Sequence, residues 1–483
     1  MKIKMTKVVC TIGPKSEDPK VLKQLLLSGM NVMRLNFSHG DHEEHGKRIK
    51  TLRKLCEETG KFVAIMLDTK GPEIRTGEFR EGDVKYDLVE GHKITLTTDY
   101  AFKGDDKKIS VSYKDITKDL KPGDTVLIDD GLIALNVDSI EGEELHCTVK
   151  NSGALGQKKG VNLPNVSVSL PALAPKDISD LKFGCEQGVD YVAASFIRKA
   201  SDVAEVRKVL DENGGENIKI IPKIETQEGF DNFDEILELS DGIMVARGDL
   251  GVEVPVERVP YMQKVMIKKC NEAGKPVITA TQMLDSMQKN PRPTRAEAGD
   301  VANAILDGTD AVMLSGESAN GKYPVEAVKT MARISSVTDE IGVGRRSYTP
   351  TSMTITESIS KSAVYASETL NAKLIVCWTK TGRAAKMIRK YNPTVPIIAL
   401  TDHPQTARQL SVVRGVRSVL ATGLDKTEDF FKKAVEVAES HAFTTEDENY
   451  TGIKKGDLIV LVTGISETGT TNTLKVTRIG ENQ

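Results

Sequence analysis

The feature that most constrains the fold is an alternation of short apolar runs with helical patterns, which occurs eight times along the chain. A short run that is apolar throughout is typical of a strand buried on both faces of a parallel sheet. The eight runs are Lys7–Ile12, Asn31–Leu35, Val63–Leu67, Asp190–Ala194, Ile218–Pro222, Gly242–Val245, Pro276–Ala280 and Ala311–Leu314. Eight β/α units are the number that closes a barrel, so the sequence predicts an α/β fold with a (β/α)8 TIM barrel.

A long insertion separates the third run from the fourth. It is rich in turn signals at Lys121–Asp124, Asp129–Gly131 and Glu141–Glu143. Short β-like runs lie between the turns, at Lys93–Thr97, Thr125–Ile128, Leu132–Val137 and Glu144–Lys150. This pattern predicts a small β-barrel lid domain, residues 70–171, inserted in a loop of the larger barrel.

A second α/β pattern occupies the C-terminal part of the chain. Gly342–Ser347 and Thr349-Pro350 read as a linker before it. Its strand-like runs are Leu374–Trp378, Pro396–Leu400, Val416–Leu420 and Leu458–Thr463. We therefore expect a barrel domain at 1–69 and 172–345, the lid at 70–171, and a C-terminal α/β effector domain at 346–483.

Two sequence patterns predict helix starts by a capping box, in which a side chain and a glutamate cap each other's backbone amides. Asp202 with Glu205 precedes one apolar helical pattern, and Thr294 with Glu297 precedes another.

Charge and composition exclude several classes of partner. The chain carries 66 basic and 69 acidic residues, a net charge of −3, which gives no reason to expect nucleic acid or an anionic membrane as partner. The apolar stretch Val8–Ile12 is too short for a secretory signal, and no run approaches the ~20 residues of a membrane span. Six scattered cysteines predict reduced thiols in a cytoplasmic protein.

The most informative candidate site follows the fifth and sixth runs. Lys223 and Glu225 come directly after one predicted strand, and Asp249 lies just after the next. In a barrel, the carboxyl ends of the strands meet at the active face. Two carboxylates can hold Mg²⁺, and a lysine beside them can meet a phosphate or an enolate oxygen. The ordinary alternative, solvated loop acids with a surface lysine, is less favoured because the lysine sits between apolar neighbours.

Other strand ends carry groups that suit a phosphorylated substrate. Arg34 and Arg75 are candidate phosphate clamps, because a guanidinium fork matches phosphoryl oxygens. Gly248 allows close backbone approach, and a helical turn that begins near Asp249 offers free N–H groups to an anion. Thr281 could relay a proton, although a strand-end threonine is common and the residues alone favour the structural interpretation.

A third group of strand-end residues supplies neutral and singly acidic oxygens. The group comprises Asn36, Ser38, Asp68 and Thr69. This mixture suits a large, softly held cation, and loop hydrogen bonding is an equally good interpretation of the spacing. The nearby His39, His42 and His45 lack the spacing of a zinc site, so N-capping and surface polarity are preferred for them.

Taken together, the motifs resemble the pyruvate kinase family over essentially the whole chain. The most specific block is Ile220–Gly229, which matches the family's active-site signature. Four further blocks match in order: Met33–Gly40, Leu67–Arg75, Gly160–Pro164 and Asn290–Glu297.

The resemblance implies transfer of the phosphoryl group of phosphoenolpyruvate to ADP, giving ATP and pyruvate. It implies that Glu225 and Asp249 hold Mg²⁺ or Mn²⁺ and that Lys223 stabilises the phosphoryl group and the enolate. Substrate contacts are then expected from Arg34, Lys223, Gly248, Asp249 and Thr281, with Lys223, Arg34 and Thr281 in catalytic roles. K⁺ is expected at Asn36, Ser38, Asp68 and Thr69, and the nucleotide at Asn36, Phe37, Ser38, His39, Arg75 and Lys159. Glu73 stands where members that need K⁺ carry glutamate.

The resemblance also implies regulation and assembly. The loop Thr379, Lys380, Thr381, Gly382 and Arg383 matches the family's sugar-phosphate site, and Glu467 adds negative charge near it. An allosteric cytoplasmic homotetramer is expected. Two other hypotheses stay open on the residues: a lyase that stabilises a Mg²⁺-enolate in the same kind of barrel, and a binding protein that kept the fold without activity.

Overall fold

The computed structural model describes residues 4–342, 353–424, 426–440, 453–464 and 470–480. The chain begins with three β/α steps. Their strands are β1 (Lys7–Thr11), β2 (Val32–Asn36) and β3 (Ala64–Asp68), and their helices are α1 (Pro19–Leu27) and α2 (His42–Thr59). Every residue of β1 and β3 is buried, as expected for strands covered on both faces.

The inserted lid follows β3 and consists of short strands. These are β4 (Ile74–Arg75), β5 (Tyr86–Leu88), β6 (Lys93–Thr97), β7 (Lys108–Ser110), β8 (Thr125–Ile128), β9 (Ile133–Glu141), β10 (Glu144–Val149), β11 (Gly153–Leu155) and β12 (Gly160–Asn162), with one helical turn, α3 (Ile116–Asp119). Seven of them form a sheet in the order β4-β12-β8-β9-β10-β6-β7, and β5 pairs with β11. A bridge between Thr76 and Val111 joins the two edges of the larger sheet, so the lid is a small barrel with its own core.

The chain then returns to the large barrel. Its remaining strands are β13 (Tyr191–Ala194), β14 (Lys219–Ile224), β15 (Ile243–Ala246), β16 (Val277–Ala280) and β17 (Ala311–Leu314). The helices are α4 (Pro175–Gln187), α5 (Ala200–Asp211), α6 (Gln227–Asp231), α7 (Phe233–Leu239), α8 (Arg247–Glu253), α9 (Val259–Ala273), α10 (Arg295–Asp307), α11 (Gly316–Ala319) and α12 (Pro324–Ile341). The eight parallel strands close in the order β1-β17-β16-β15-β14-β13-β3-β2. The predicted (β/α)8 barrel is confirmed.

The C-terminal part forms an α/β layer beneath the barrel. Its strands are β18 (Leu374–Trp378), β19 (Ile397–Thr401), β20 (Val416–Leu420), β21 (Leu458–Thr463) and β22 (Thr473–Arg478), and its helices are α13 (Ile355–Thr369), α14 (Arg383–Lys390), α15 (Pro404–Gln409) and α16 (Thr427–Glu439). Within the described ranges the sheet order is β20-β19-β18-β21-β22, with only β22 antiparallel. The four predicted strands are confirmed. β22 was missed because it is a half-exposed edge strand without a continuous apolar run.

One predicted helix start is wrong and the other is confirmed. α5 begins at Ala200, and the Asp202 carboxylate accepts a hydrogen bond from the Arg198 backbone N–H, so Asp202 does not cap the helix as predicted. Thr294 and Glu297 do form a capping box at α10. The predicted linker from Val343 to Ser347 and at Thr349-Pro350 lies outside the described residues.

Candidate active site

A buried cluster of charges lies at the carboxyl end of β14. This strand runs two residues further than predicted, to Ile224, so Lys223 is part of the strand and Glu225 follows it directly. The Lys223 Nζ atom lies 2.9 Å from Glu225 Oε1 and 3.3 Å from Asp68 Oδ1, and it donates a hydrogen bond to Ser195 Oγ at 2.9 Å. The sequence prediction that Lys223 is buried rather than a surface lysine is therefore confirmed.

The surroundings of Lys223 keep its ammonium group charged. Burial alone would lower the pKa of Lys223, but the negative charges of Asp68, Glu225 and Asp249 outweigh burial and raise that pKa above its usual value. The lysine therefore carries a permanent positive charge in a region from which water is largely excluded. Such a fixed charge interacts more strongly with a ligand than it would in water.

Glu225 has an environment that suits a metal ligand. Burial raises the pKa of Glu225 to about 8, since the attraction of Lys223 only partly offsets the loss of water and Asp249 adds repulsion. Its Oε2 accepts a hydrogen bond from the Phe196 backbone N–H at 2.6 Å, but Oε1 receives none of good geometry in the described structure. A divalent cation would stabilise the ionised form of this carboxyl group, so Glu225 and Asp249 fit Mg²⁺ or Mn²⁺.

Among the described residues, no group of three or more His, Cys, Asp or Glu side chains could hold a metal ion by itself. A Mg²⁺ site in an enzyme that handles phosphates commonly uses one or two carboxylates, with substrate and water as the other ligands. The pair of Glu225 and Asp249 matches that pattern.

Arg34 is held rigidly on the neighbouring strand. Its Nε donates to Asp68 Oδ2 at 2.6 Å and its Nη1 donates to Thr11 Oγ1 at 2.9 Å. Asp68 is fully buried, which favours its neutral form, but the charges of Arg34 and Lys223 prevail and hold the pKa of Asp68 below its ordinary value. Asp68 is thus an anion that orients two cations towards the barrel mouth.

α8 and Thr281 meet on the opposite side of the cluster. α8 starts directly after β15, as the predicted helical turn near Asp249 requires, and Arg247 anchors it through two 2.7 Å hydrogen bonds to Asp300. The Gly248 N–H donates to Thr281 Oγ1 at 2.6 Å, so this amide is already engaged. Thr281 has a φ of 68°, a strained conformation for a β-branched residue. Strain of this kind concentrates at functional sites.

The four predicted cation ligands lie together on β2, β3 and the residues that follow them. Asn36 and Asp68 are register partners, and the Phe37 N–H donates to the Asp68 carbonyl at 2.9 Å. Ser38 donates its N–H to Asn36 Oδ1 at 3.1 Å, while Thr69 Oγ1 accepts a hydrogen bond from the Ser195 N–H at 3.0 Å. The structure thus brings the four residues to one side of the barrel mouth.

A cavity of about 820 Å³ lies between the lid and the barrel. Arg75 and Lys159 line it from the lid, and Asp249 lines it from the barrel. Lys159 forms a 3.0 Å ion pair with Asp129, and the Arg75 Nε donates to Glu73 at 2.7 Å. The two predicted nucleotide cations therefore face the same cleft as one predicted metal ligand.

Phe37 and His39, two other predicted nucleotide residues, do not line this cleft. The Phe37 ring is buried and stacks on His45 with ring centres 4.1 Å apart, so it is not part of the cleft. His39 is exposed, and its carbonyl oxygen accepts a hydrogen bond from His45 Nε2 at 2.9 Å. N-capping of α2 comes from Asp41 rather than from a histidine.

Several residues of the site had no role in the sequence analysis. Ser195 accepts from Lys223 and donates to the Thr69 carbonyl at 2.6 Å, which fixes the lysine. The Phe196 backbone orients Glu225. Asp130 and Glu253 face the cleft from the lid and from α8. Only the polar strand end at Ser195 gave a sequence signal. The Phe196–Glu225 contact depends on the pairing of two barrel strands, and the cleft positions of Asp130 and Glu253 depend on the lid.

The predicted effector loop lies at the carboxyl end of β18. Gly382 has a φ of 80° and precedes the first residue of α14, Arg383. Thr406 Oγ1 donates to the Lys380 carbonyl at 2.8 Å and so supports the loop. Glu467, the negative charge expected nearby, lies outside the described residues.

The structure combines an eight-stranded parallel barrel, a lid, and a buried lysine between carboxylates at the barrel mouth. This combination is typical of enzymes that act on phosphorylated anions with a metal ion. Comparison with known proteins narrows the class. The family model described as "Pyruvate kinase, barrel domain" matches residues 3–328, and that described as "Pyruvate kinase, alpha/beta domain" matches residues 357–477.

Comparison with individual proteins gives the same family. The chain is 51% identical to a pyruvate kinase of Clostridium acetobutylicum, with 98% of both chains covered. It is 51% identical to a pyruvate kinase of Bacillus licheniformis, covering 99% of this chain and 81% of the relative. A crystal structure of a pyruvate kinase from Cryptosporidium parvum superposes with a TM-score of 0.92 at 41% identity and covers 99% of this chain and 96% of its own.

The chain therefore belongs to the pyruvate kinase family. Its reaction is the transfer of the phosphoryl group of phosphoenolpyruvate to ADP, which gives ATP and pyruvate in the last step of glycolysis. Members of this family use a divalent metal ion and K⁺. None of the described helices is both long and apolar enough to cross a membrane.

Proposed function

We propose that Lys223, Glu225 and Asp249 form the catalytic centre of this phosphoryl transfer, with Arg34 and Thr281 completing it. The observation that carries the proposal is the buried Lys223 ammonium group, held charged between Asp68 and Glu225. Phosphoryl transfer requires positioning and charge neutralisation more than covalent participation of the protein. A fixed cation in a dry site meets that requirement.

In this proposal the carboxylates bind the metal ion, and the cationic side chains bind the phosphoryl group. Glu225 and Asp249 would hold Mg²⁺ or Mn²⁺, which when bound neutralises charge on the phosphoryl group. Lys223 binds the transferring phosphoryl oxygens and then the enolate oxygen that the broken P–O bond leaves behind. Arg34, held by Asp68, clamps the phosphate of phosphoenolpyruvate.

The second half of the reaction is protonation of the enolate at its methylene carbon. We assign Thr281 to this relay, because its hydroxyl accepts a hydrogen bond from the Gly248 N–H, and Gly248 directly precedes Asp249 in α8. In the structure the hydroxyl donates to the Ala280 carbonyl at 2.6 Å. It must rotate from that carbonyl to deliver or pass a proton, and the methyl group of pyruvate results.

K⁺ is proposed at Asn36, Ser38, Asp68 and Thr69, where the permanent anion of Asp68 supports a monovalent cation. The K⁺-dependent type is proposed because glutamate stands at position 73, where it pairs with Arg75 at 2.7 Å and with Lys70 at 3.5 Å. The nucleotide is proposed to bind at Arg75 and Lys159, which line the cleft. The family resemblance adds Asn36, Phe37, Ser38 and His39, which lie outside the residues that line it.

The larger organisation is also proposed. The proposed barrel domain is residues 1–69 and 172–345, the lid 70–171 and the effector domain 346–483. The lid has its own apolar core, and the C-terminal layer has one cluster of its own beside another that it shares with the barrel. We propose a homotetramer regulated by a sugar phosphate bound at Thr379–Arg383. Six free cysteines favour a cytoplasmic location.

The proposal is tested by assaying pyruvate formation with Mg²⁺, K⁺, ADP and phosphoenolpyruvate, with and without sugar phosphates at low phosphoenolpyruvate. We expect saturable dependence on ADP and loss of activity when K⁺ is replaced by Na⁺. Saturable ADP dependence excludes the lyase hypothesis, and turnover of any kind excludes an inactive binding protein. Absence of pyruvate under all these conditions would refute the assigned site.

A further inference from the structure

The short helix α8 is one of the barrel elements that contact the lid. A Cβ atom placed on Gly131 of the lid would lie 3.9 Å from Val252 Cγ1, which is van der Waals distance. Asp130 lies close enough to Asp249 for their negative charges to repel. One turn further along, Glu253 accepts a hydrogen bond from the side chain of Asn162.

The Asn162–Glu253 contact joins residues that are 91 positions apart in sequence. Asn162 ends β12 of the lid, and Glu253 is the last residue of α8. The Asn162 Nδ2 donates to Glu253 Oε1 at 2.7 Å. Across the described residues, no other hydrogen bond joins the lid strands to α8. This bond is therefore the direct polar link between the lid strands and α8 within the described residues.

Glu253 is an unusual choice for such a contact. It is only 8% exposed, and in the described part of the chain it forms no ion pair. Burial raises the pKa of Glu253, the Asn162 hydrogen bond opposes this in part, and the negative charge of Asp249 adds to it. The carboxyl group thus loses water when the lid covers it, and one amide N–H replaces part of that hydration.

α8 also carries two residues of the proposed centre. Gly248 and Asp249 lie in its first turn, and Asp249 and Glu253 are four residues apart, on the same face of the helix. A constraint on the last residue of a two-turn helix therefore acts on the orientation of its first turn. The lid and the metal-binding carboxylate are linked through one rigid element.

We propose that Asn162 and Glu253 form a latch that positions the lid on α8 and thereby couples lid closure to the placement of Asp249. Both are positioning residues. The inference goes beyond the proposed catalytic residues and rests on the cleft between lid and barrel as the nucleotide site.

An exchange of the two side chains tests the latch. Asn162→Asp places a second carboxylate against Glu253, and we expect the KM for ADP to rise about 10-fold or more, as for loss of a hydrogen bond to a charged group, with a much smaller change in kcat at saturating ADP. Glu253→Gln keeps an acceptor for Asn162 and should change the KM by less than about threefold. The double variant Asn162→Asp/Glu253→Gln restores a donor–acceptor pair in the reverse direction and should return the KM close to the wild-type value.

A control and a second measurement separate coupling from general damage. Asn136→Asp adds the same charge to an exposed part of the lid, where Asn136 bonds to Asp138, and should leave the KM for ADP unchanged. Hydrogen exchange at the amides of β12 and α8 should accelerate in Asn162→Asp and recover in the double variant. Additive effects of the two substitutions, on KM and on exchange, would overturn the latch. The exchange measurement does not depend on turnover, so it also distinguishes failure of the latch from failure of the proposed active site.

Discussion

Lys223 shows how a single residue obtains its chemistry from its neighbours. A lysine at a buried strand position loses hydration, which should favour its neutral form. Here Asp68 and Glu225 lie within 3.3 Å and 2.9 Å of its Nζ, and their charges reverse that preference. The result is a cation that is both permanent and positioned, which is the property needed to follow a phosphoryl group in transfer.

Replacement of Lys223 should separate catalysis from metal binding. Lys223→Met keeps most of the volume and removes the charge, so we expect ATP formation to fall by at least about a thousandfold, as for loss of a main electrostatic stabiliser. Mn²⁺ binding, measured by electron paramagnetic resonance, should survive because Glu225 and Asp249 remain. The matched control is Lys219→Met at the half-exposed start of the same strand, which should retain activity. Unchanged turnover in Lys223→Met would contradict the role given to this residue.

Helix starts show what local sequence can predict at the scale of elements. Thr294 caps α10 through mutual hydrogen bonds with Glu297, as the pattern predicts. The same pattern failed at Asp202, because the Asp202 carboxylate instead accepts the Arg198 N–H and lies beside the Arg198 guanidinium. The acid of a capping motif can instead bond to another residue close by in sequence, here four positions earlier, and the cap is then lost.

The capping box of α10 should make a measurable contribution to stability. Thr294→Ala removes the acceptor for the Glu297 N–H, and we expect a loss of about 1 kcal/mol in the free energy of unfolding. Urea unfolding would measure it. Thr51→Ala at a half-buried position in the interior of α2 is the control, since alanine favours helix interiors and no cap is lost. Equal effects of the two substitutions would show that the cap does not stabilise the helix.

The ion pair between α13 and α14 should make stability depend on pH. The hydrogen bond from Lys390 lowers the pKa of Glu357 to about 2 from the ordinary 4.5. A lowered folded-state pKa means that the stabilisation is complete above pH 4.5 and is lost as the pH falls towards 2. Glu357→Gln can still cap Thr354 with its amide oxygen, but it removes the charge and the acceptor for Lys390, at a cost of about 1 kcal/mol near pH 7 for a partly exposed pair.

Urea unfolding at a series of pH values would test this dependence. The difference between wild type and Glu357→Gln should be constant above about pH 5 and should shrink below it. Glu205→Gln, on the exposed face of α5, provides a control in which no such dependence is expected. A difference that persists unchanged down to pH 2 would refute the ion pair as its cause.

At the scale of the whole molecule, the barrel and the C-terminal layer are joined by buried charges. Arg389 of α14 donates to Asp310 at 2.9 Å, to Asn271 at 3.0 Å and to the Gly308 carbonyl at 3.1 Å. Asp310 also accepts the Arg414 N–H at 3.0 Å. These contacts lie at the amino ends of the barrel strands, on the face opposite the proposed active site.

Loss of Arg389 should weaken the junction strongly. Arg389→Met leaves Asp310 buried without its guanidinium partner, and removal of one member of a buried pair costs about 3–5 kcal/mol. Trp378, the only tryptophan, lies in the C-terminal sheet and reports its unfolding by fluorescence. We expect a lower urea midpoint, and partial recovery in Arg389→Met/Asp310→Asn, where no charge is left unpaired. An unchanged midpoint would mean that the junction does not depend on this pair.

The sequence by itself determined the barrel, the inserted lid, the C-terminal layer and the identity of Lys223, Glu225 and Asp249. It could do so because buried parallel strands need continuous apolar runs, and because barrel topology brings all strand ends to one face. Only the tertiary structure decided which of these residues touch, since contacts such as Lys223–Ser195 and Asn162–Glu253 join positions far apart in the chain. The strained φ of Thr281 and the raised pKa of Glu225 likewise depend on burial by distant elements, and no local pattern encodes that burial.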